Sequence, residues 1–139
     1  MIRDEPISIA IAIIEKGQRY LIAQRRFDAH LPGLWEFPGG KQLLGNGIFP
    51  CETLEECVIR EVLEELCIEI KIDRFYGKFT HDYQDRTVIL HAYLCHLVSG
   101  VPISAENIRW ASAEELLSLP FPEANLPLIT ALREEIYCS

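Results

Sequence analysis

The sequence predicts a fold of the α/β class, because strand-like and helix-like segments follow one another in a chain of 139 residues. Residues 7–14 and 20–24 are rich in β-branched and apolar side chains around Lys16-Gly17, which is the pattern of a β-hairpin. Thr53, followed three residues later by Glu56, forms a capping box and predicts the start of a helix. Strands followed by a helix therefore define the first half of the chain.

The second half repeats these signals. Residues 87–97 predict a strand, and residues 83–86 before them predict the turn of a second hairpin. Ser112 and Glu115 form another capping box that predicts a short helix, and a last helix is expected over residues 126–137. Three leucines near the short helix are expected in the core: Leu116, Leu117 and Leu119.

Length and composition predict one domain, residues 1–139, since 49% hydrophobic residues suffice for one core and no composition break or repeat is present. No apolar run approaches the roughly 20 residues that span a membrane. Residues 1–5 lead into a strand instead of the apolar region of a signal peptide. We therefore expect no membrane partner and a cytoplasmic location.

The net charge of −8 argues against duplex nucleic acid as a partner, because nonspecific affinity for DNA comes from a basic surface. It does not exclude a nucleotide, whose phosphates would need bridging cations near acidic residues. Five cysteines without a C-x-x-C pair argue against a disulfide framework or structural zinc, so most are expected to be buried. Four histidines lack paired ligand spacing and are expected in structural or loop roles: His30, His81, His91 and His96.

The predicted helix carries a cluster of acidic residues on a face separate from its buried stripe. Its stripe consists of aliphatic residues at four-residue spacing: Leu54, Val58, Val62 and Leu66. Glu61, Glu64 and Glu65 lie within one turn beside Arg60, and like charges at this spacing each cost a few tenths of a kcal/mol. Such a cluster is either a solvated helix face or a site for Mg²⁺, which prefers oxygen ligands and shares them with phosphates.

Residues 35–41, Trp-Glu-Phe-Pro-Gly-Gly-Lys, precede this helix. Two glycines after a proline allow the backbone to approach a ligand closely and leave carbonyl groups available for coordination. With the helix, they complete a spaced set that resembles the signature of the Nudix hydrolases, G-x5-E-x7-R-E-U-x-E-E-x-G-U, where U is a bulky aliphatic residue. The matching residues are Gly40, Glu52, Arg60, Glu61, Glu64, Glu65 and Ile68.

The chain departs from this signature at two points. Eleven residues instead of five separate Gly40 from Glu52, which predicts a loop over residues 42–51 that is longer by six. Added loop length costs only logarithmically in entropy, so the fold tolerates it. Cys67 replaces the last glycine of the signature, where a left-handed cap is expected at some steric cost.

The resemblance covers nearly the whole chain and is greatest to the MutT-type branch, the nucleotide-pool sanitising Nudix enzymes. Residues 25–30, Arg-Arg-Phe-Asp-Ala-His, and residues 121–125, Phe-Pro-Glu-Ala-Asn, carry it outside the signature. The resemblance implies an α/β/α sandwich in which a mixed sheet lies between helices. It also implies hydrolysis of a nucleoside triphosphate to the monophosphate and pyrophosphate.

By the same resemblance, Glu61, Glu64, Glu65 and the carbonyl of Gly40 are expected to hold Mg²⁺, with Mn²⁺ as an alternative. Arg60 is expected to orient Glu61 through a bidentate pair. Glu106 matches a further glutamate on a loop of the branch, so it is either a metal ligand or general base, or a solvated charge.

The resemblance implies that Asn125 reads the base, since its amide offers both a donor and an acceptor; alternatively, it caps the last helix. Phe37 and Tyr83 either flank the base or belong to the core. Basic and loop residues around them are expected at the substrate or else at the plain surface: Arg25, Arg26, His30, Lys41 and Arg86.

Three functions remain open. The first is a nucleoside triphosphate pyrophosphohydrolase acting on 8-oxo-dGTP, with CTP, methylated dCTP or ordinary dNTPs as alternatives. The second is hydrolysis of another diphosphate-linked compound, such as a nucleotide sugar or dinucleotide. The third is a non-catalytic module that reads oxidised bases, which the retained glutamates and acidic charge disfavour. A monomer and a homodimer are equally compatible with the sequence.

Overall fold

The computed structural model describes residues 5–25, 32–45, 51–104 and 107–138, with the side chains of residues 136–138 excepted. Its strands are β1 (Ile7–Lys16), β2 (Arg19–Gln24), β3 (Trp35–Glu36), β4 (Gly39–Lys41), β5 (Glu69–Asp82), β6 (Thr87–Ser99) and β7 (Ile108–Ser112). Its helices are α1 (Leu54–Leu66), α2 (Ala113–Ser118) and α3 (Leu126–Cys138), and a 3₁₀ turn, Glu123–Asn125, precedes α3. Both predicted hairpins and all three predicted helices are present.

The sheet is mixed, and its main path runs β3-β2-β1-β6-β5. β1 pairs with β6 in parallel along eight residue pairs that begin at Ile7 and Val88. The other pairings are antiparallel: β1 with β2 and β4, β2 with β3 and β7, and β5 with β6. Central β1 therefore joins β4 and β2 to the long β5–β6 hairpin.

Apolar side chains cover both faces of this sheet. On one face, Val58, Val62 and Leu66 of α1 pack with Ala10 and Ile14 of β1. On the other face, residues of α2 and α3 pack with alternate residues of the same strand; this cluster includes Ile11, Ile13, Leu116, Leu128 and Leu132. The period of two along β1 places one set of side chains on each side, which confirms the predicted α/β/α sandwich.

The ends of α1 follow the sequence signals. The Thr53 hydroxyl accepts a hydrogen bond from the Glu56 amide, and the Glu56 carboxylate accepts one from the Thr53 amide. Cys67 ends the helix with φ of 59°, in the left-handed region, and its amide donates to the Leu63 carbonyl. The expectation of a left-handed cap without glycine is thus confirmed.

The short helix α2 begins at its predicted capping box on Ser112. Leu116 is buried and Leu119 packs partly against the core, as expected. The expectation for Leu117 is wrong, since this residue is 41% exposed. A rotation of about 100° per residue turns Leu117 away when Leu116 faces the sheet.

The described cysteines divide evenly between core and surface. Cys57 and Cys95 are buried, whereas Cys51 and Cys67 are exposed, so the expectation that most are buried holds for two of these four. All four of these cysteines are free thiols. Among the described helices, none is long and apolar enough to cross a membrane.

Candidate active site

Arg60 lies at the centre of the acidic face of α1. Its Nε and Nη2 donate to the two carboxylate oxygens of Glu52, at 3.0 and 2.8 Å. Its Nη1 donates to Glu61 at 3.0 Å and to Glu64 at 3.1 Å. The prediction of a bidentate pair with Glu61 is therefore wrong in its partner: the guanidinium fork engages Glu52, and Glu61 receives one hydrogen bond.

The bidentate pair stabilises the charged forms of both Arg60 and Glu52. Hydrogen bonds from Arg60 lower the pKa of Glu52 to about 2. The hydrogen bond to Glu52 in turn raises the pKa of Arg60 above its usual range. The pair is half-enclosed, with side-chain exposures of 26% for Arg60 and 14% for Glu52, so solvent screens it less than a surface ion pair.

Glu52 also fixes both described ends of the lengthened loop. Its carboxylate accepts from the Leu43 amide at 2.7 Å, and its own amide donates to the Leu43 carbonyl at 3.1 Å. The Gln42 side-chain amide donates to the Glu52 carbonyl at 2.5 Å. These contacts hold Glu52 beside Arg60 whatever path residues 46–50 take, and those residues lie outside the described part of the chain.

The glycine pair of β4 allows two close approaches. A Cβ on Gly39, where φ is 151°, would lie 2.1 Å from the Ala10 carbonyl oxygen of the neighbouring strand. A Cβ on Gly40 would lie 2.6 to 2.8 Å from the carboxyl atoms of Glu61. The Cys57 thiol lies 3.5 Å from the Gly40 carbonyl oxygen. The absence of a side chain on Gly40 thus allows the Glu61 carboxylate to lie against the backbone of β4.

Glu65 experiences the opposite environment to Glu52. Burial of its carboxyl end, followed by the charge and hydrogen bonding of Glu61 and the charge of Glu36, raises the pKa of Glu65 well above its usual range. A backbone contact from Gly39 opposes this shift only partly. The carboxylates of Glu36, Glu61 and Glu65 therefore lie close enough to interact. The described hydrogen bonds of Arg60 reach Glu61 but not Glu65.

A cavity of about 750 Å³ adjoins this end of α1. Gly40 of β4, Glu65 of α1 and Asn125 of the 3₁₀ turn all line it. It also brings together most of the other described residues that were predicted to bind substrate, namely Arg25, Phe37, Lys41, Tyr83 and Arg86. Two of the four predicted metal ligands therefore share one cavity with the predicted base-recognition residues.

Six of the predicted site residues are not among the described residues that line the cavity. Glu61, Glu64 and Arg60 belong to the acidic face beside the cavity and are absent from its lining. Arg26, His30 and Glu106 lie outside the described residues, so their expected roles stay predictions.

Sequence reasoning missed the apolar side of the cavity. Aliphatic side chains of β1 and β6 line it: Ile7, Ile9, Ile11, Val88 and Leu90. The alternating isoleucines of β1 predict that one face of this strand is apolar and shielded from water. Alternation does not tell whether core side chains or a ligand cavity cover that face. Arg25 and Glu36 were also not foreseen as a pair; the guanidinium donates to the carboxylate at 2.8 Å across the cavity lining.

Asn125 is the one buried polar or charged residue among those described, at 8% exposure. It is the last residue of the 3₁₀ turn and immediately precedes α3. Its amide nitrogen lies 3.5 Å from the Pro122 carbonyl oxygen. A carboxamide held at a cavity wall offers directional hydrogen bonding to a ligand.

The residues around Gly40 fit a divalent cation. Hard carboxylate oxygens and a backbone carbonyl are the donors that such ions prefer, and burial together with the charge of Glu61 raises the pKa of Glu65, so the charged form of Glu65 is disfavoured in the protein alone. Among the described residues, no group of three or more His, Cys, Asp or Glu side chains is arranged so that it could hold a metal ion by itself. An open set that relies on substrate oxygens and water to complete coordination agrees with both observations.

An α/β/α sandwich with an acidic helix beside a cavity of about 750 Å³ is the arrangement expected of a hydrolase of phosphate compounds. Residues 9–131 match the NUDIX domain family. The chain belongs to this family, in agreement with the resemblance found in its sequence. Nudix hydrolases generally require divalent cations.

Named relatives agree with this assignment. The chain is 33% identical over 127 residues to the CTP pyrophosphohydrolase of Escherichia coli K12, covering 90% of each chain. It is 33% identical over 130 residues to the 8-oxo-dGTP diphosphatase of the same organism, covering 91% of this chain and 96% of that protein. It also resembles the crystal structure of the MutT NUDIX hydrolase from Burkholderia pseudomallei, with a TM-score of 0.76 and 25% identity over 91% of this chain and 98% of that one.

Proposed function

We propose that the protein hydrolyses a nucleoside triphosphate to the monophosphate and pyrophosphate in the presence of Mg²⁺, with 8-oxo-dGTP as the preferred substrate. The observation that carries this proposal is the shared cavity, whose lining includes Gly40, Glu65 and Asn125. A nucleotide carries phosphates and a base, so one cavity that offers both a predicted cation ligand and a carboxamide matches its chemistry. Relatives named 8-oxo-dGTP diphosphatase support the choice of base.

In the proposed reaction, a water oxygen forms a bond to phosphorus, the P–O bond that joins the monophosphate and pyrophosphate products breaks, and the proton of the water passes to a general base. The carboxylates of Glu61, Glu64 and Glu65 and the carbonyl of Gly40 would hold Mg²⁺, with Mn²⁺ as an alternative. A divalent cation at such a site lowers the pKa of bound water and neutralises phosphate charge. Glu106 stays a candidate for the general base.

The described side chains perform the remaining tasks. Arg60 fixes Glu61 and Glu64 by one hydrogen bond each while Glu52 holds its other edge, so the carboxylates keep their orientation before substrate arrives. Positive charges at the cavity, Lys41 and Arg86, would contact phosphate or base. The Phe37 ring, which packs at 5.6 Å against Phe121, would flank the base.

A second candidate substrate is CTP, because the relative named CTP pyrophosphohydrolase matches as well as the 8-oxo-dGTP diphosphatase does. An asparagine amide can pair with the edge of either base, so the described contacts are compatible with both. Methylated dCTP belongs to the same alternative. A nucleotide is thus the substrate class, and the base is the part that needs measurement.

The proposal extends to domain organisation, location and oligomeric state. We take residues 1–139 to act as one Nudix domain, supported by the packing of helices on both faces of the sheet. We also propose a cytoplasmic enzyme that acts as a monomer or homodimer and does not bind duplex nucleic acid, in keeping with the net charge of −8.

The experiment is pyrophosphate release with Mg²⁺ from 8-oxo-dGTP, dGTP, CTP, 5-methyl-dCTP, ADP-ribose and a dinucleoside polyphosphate. Wild type is compared with Glu64→Gln and with Asn125→Ala. We expect preference for 8-oxo-dGTP, near-complete loss in Glu64→Gln, and a KM higher by about 3- to 10-fold in Asn125→Ala, the loss expected for one or two hydrogen bonds. If only CTP is hydrolysed, CTP replaces 8-oxo-dGTP as the proposed substrate. If no compound is hydrolysed, the proposed enzymatic function is contradicted.

A further inference from the structure

The 3₁₀ turn that carries Asn125 is held by two side chains at the end of β5. The Tyr83 hydroxyl accepts a hydrogen bond from the Ala124 amide at 3.2 Å. The His81 Nε2 lies 3.4 Å from a carboxylate oxygen of Glu123. Both contacts join the neighbours of Asn125 to the β5–β6 hairpin, and the proposed chemistry makes no use of either.

His81 and Tyr83 support each other. Their rings meet edge to face, with centroids 4.5 Å apart and an interplanar angle of 70°. The Tyr83 amide donates to the Arg86 carbonyl at 2.8 Å, which closes the turn between β5 and β6. The His81 side chain is 28% exposed, so the pair is partly shielded from water. The two rings and the hairpin turn therefore behave as one packed unit.

The turn needs such external support. The amide of Asn125 and its side-chain nitrogen both approach the carbonyl of Pro122, at 3.0 and 3.5 Å, so these contacts stay inside the turn. A single 3₁₀ turn has poor hydrogen-bond geometry and little rigidity of its own. Ala124 packs in the core beside Phe121, and the hydrogen bond of its amide and the contact of Glu123 add directional support from the end of β5.

We propose that His81 and Tyr83 are positioning residues that fix the 3₁₀ turn and thereby aim Asn125 at the base, an inference that rests on the proposed nucleotide function. They act on recognition of the base and not on the reacting phosphorus. His81 reaches the turn through Glu123, and Tyr83 reaches it through the backbone of Ala124. Neither residue needs to touch the phosphates for this role.

The steady-state kinetics of three variants separate this positioning role from catalysis. Tyr83→Phe keeps the ring and removes the hydroxyl, His81→Leu removes the imidazole, and His81→Gln keeps a donor for Glu123. We expect the first two variants to raise KM for the preferred triphosphate about 2- to 10-fold, with kcat and Mg²⁺ activation unchanged. His81→Gln should restore most of the affinity. His96→Leu is the matched control, because His96 pairs with Asp73 on the same hairpin without touching the turn.

A second measurement does not depend on turnover. Calorimetry without metal gives the Kd values of 8-oxo-dGMP, dGMP and CMP, and amide hydrogen exchange reports on the Ala124 N–H. We expect Tyr83→Phe to accelerate exchange at Ala124, and both Tyr83→Phe and His81→Leu to reduce the ratio between the monophosphate affinities while the proteins stay folded.

The outcomes distinguish the two proposals. If the wild type binds the monophosphates selectively but hydrolyses no triphosphate, the proposed function is refuted. The positioning role is then decided by the monophosphate affinities and the Ala124 exchange of the variants. Unchanged KM, unchanged affinity ratios and unchanged Ala124 exchange would overturn the positioning role alone. An equal fall of kcat and kcat/KM in Tyr83→Phe would also overturn it, since that pattern indicates a contribution to chemistry.

Discussion

Glu52 and Glu65 lie near opposite ends of the same acidic helix and experience opposite environments. The guanidinium of Arg60 lowers the pKa of Glu52 to about 2, whereas burial and the neighbouring Glu61 raise the pKa of Glu65. At Glu52 the protein supplies the compensating positive charge itself. At Glu65 burial and a neighbouring carboxylate disfavour the charged form, which is the expected condition of a site that recruits a divalent cation with its substrate. We therefore expect the Glu52 end to serve structure and the Glu65 end to serve the proposed chemistry.

The largest effect is expected for Glu65→Gln. Loss of one carboxylate from the proposed cation site should lower kcat about 10²- to 10³-fold, comparable to the removal of a preorganised electrostatic group. The free energy of unfolding in EDTA should not fall, because the native state already disfavours the charged form of Glu65. Pyrophosphate release and urea denaturation measure the two quantities.

Glu134→Gln is the matched control for this variant, since it removes one negative charge from α3 on the opposite face of the sheet. It should leave both quantities unchanged. A large loss of stability in Glu65→Gln would show that its carboxylate is paired within the protein and would remove the contrast with Glu52.

Gly40→Ala should reduce activity about 10- to 100-fold, the range typical of groups that orient metal ligands. The added Cβ would lie 2.6 Å from the Glu61 carboxyl carbon, so this flexible carboxylate must move away from β4. The melting temperature should change little, because a side-chain end is displaced and no backbone is. Activity and thermal unfolding are measured in parallel. If Gly40→Ala is as active as the wild type, Glu61 takes no part in the reaction.

Glu52→Gln should lower the free energy of unfolding by about 1–2 kcal/mol, because it removes a charge-assisted bidentate pair and weakens the contacts at Leu43. Activity should fall about 10-fold, since Arg60 loses the partner that fixes it. Chemical denaturation and steady-state kinetics give the two numbers. A loss of activity without a loss of stability would indicate that Glu52 is itself a cation ligand.

The smallest effect is a difference in pH dependence. The folded-state pKa of Glu52 is lower than its usual 4.5, so its stabilising contribution is present above about pH 4.5 and is lost as pH falls toward 2. The folded-state pKa of Glu65 is raised, so its contribution is present at low pH and is lost as pH rises through the folded value. Urea unfolding in EDTA across pH should show a shallower acid limb in Glu52→Gln and a shallower alkaline limb in Glu65→Gln. Identical pH profiles for both variants would contradict the assigned shifts.

Local signals made most of the fold predictable from sequence. The capping boxes at Thr53 and Ser112 each start a helix in the structure, and the Lys16-Gly17 hairpin is present. These features depend on residues within a few positions of one another. Leu117 shows the limit, since composition identified an apolar segment but did not fix which face of a short helix is covered.

The site was predictable in its residues and less so in its pairings. The glutamates of α1 follow from spacing, but the choice of Glu52 as the fork partner of Arg60 depends on where the lengthened loop returns. The aliphatic side of the cavity and the contact between His81 and Glu123 depend on strands and turns far apart in sequence. Such long-range contacts leave no periodic pattern in the chain.

The most direct test of the contrast between the two glutamates is calorimetric titration of metal-free protein with Mg²⁺ near neutral pH, repeated in two buffers of different ionisation enthalpy. Wild type should bind Mg²⁺ and release protons, because carboxylates with raised pKa must lose protons to become ligands. Proton release should disappear in Glu65→Gln and persist in Glu52→Gln. Equal Mg²⁺ affinity and equal proton release in wild type and Glu65→Gln would contradict the account.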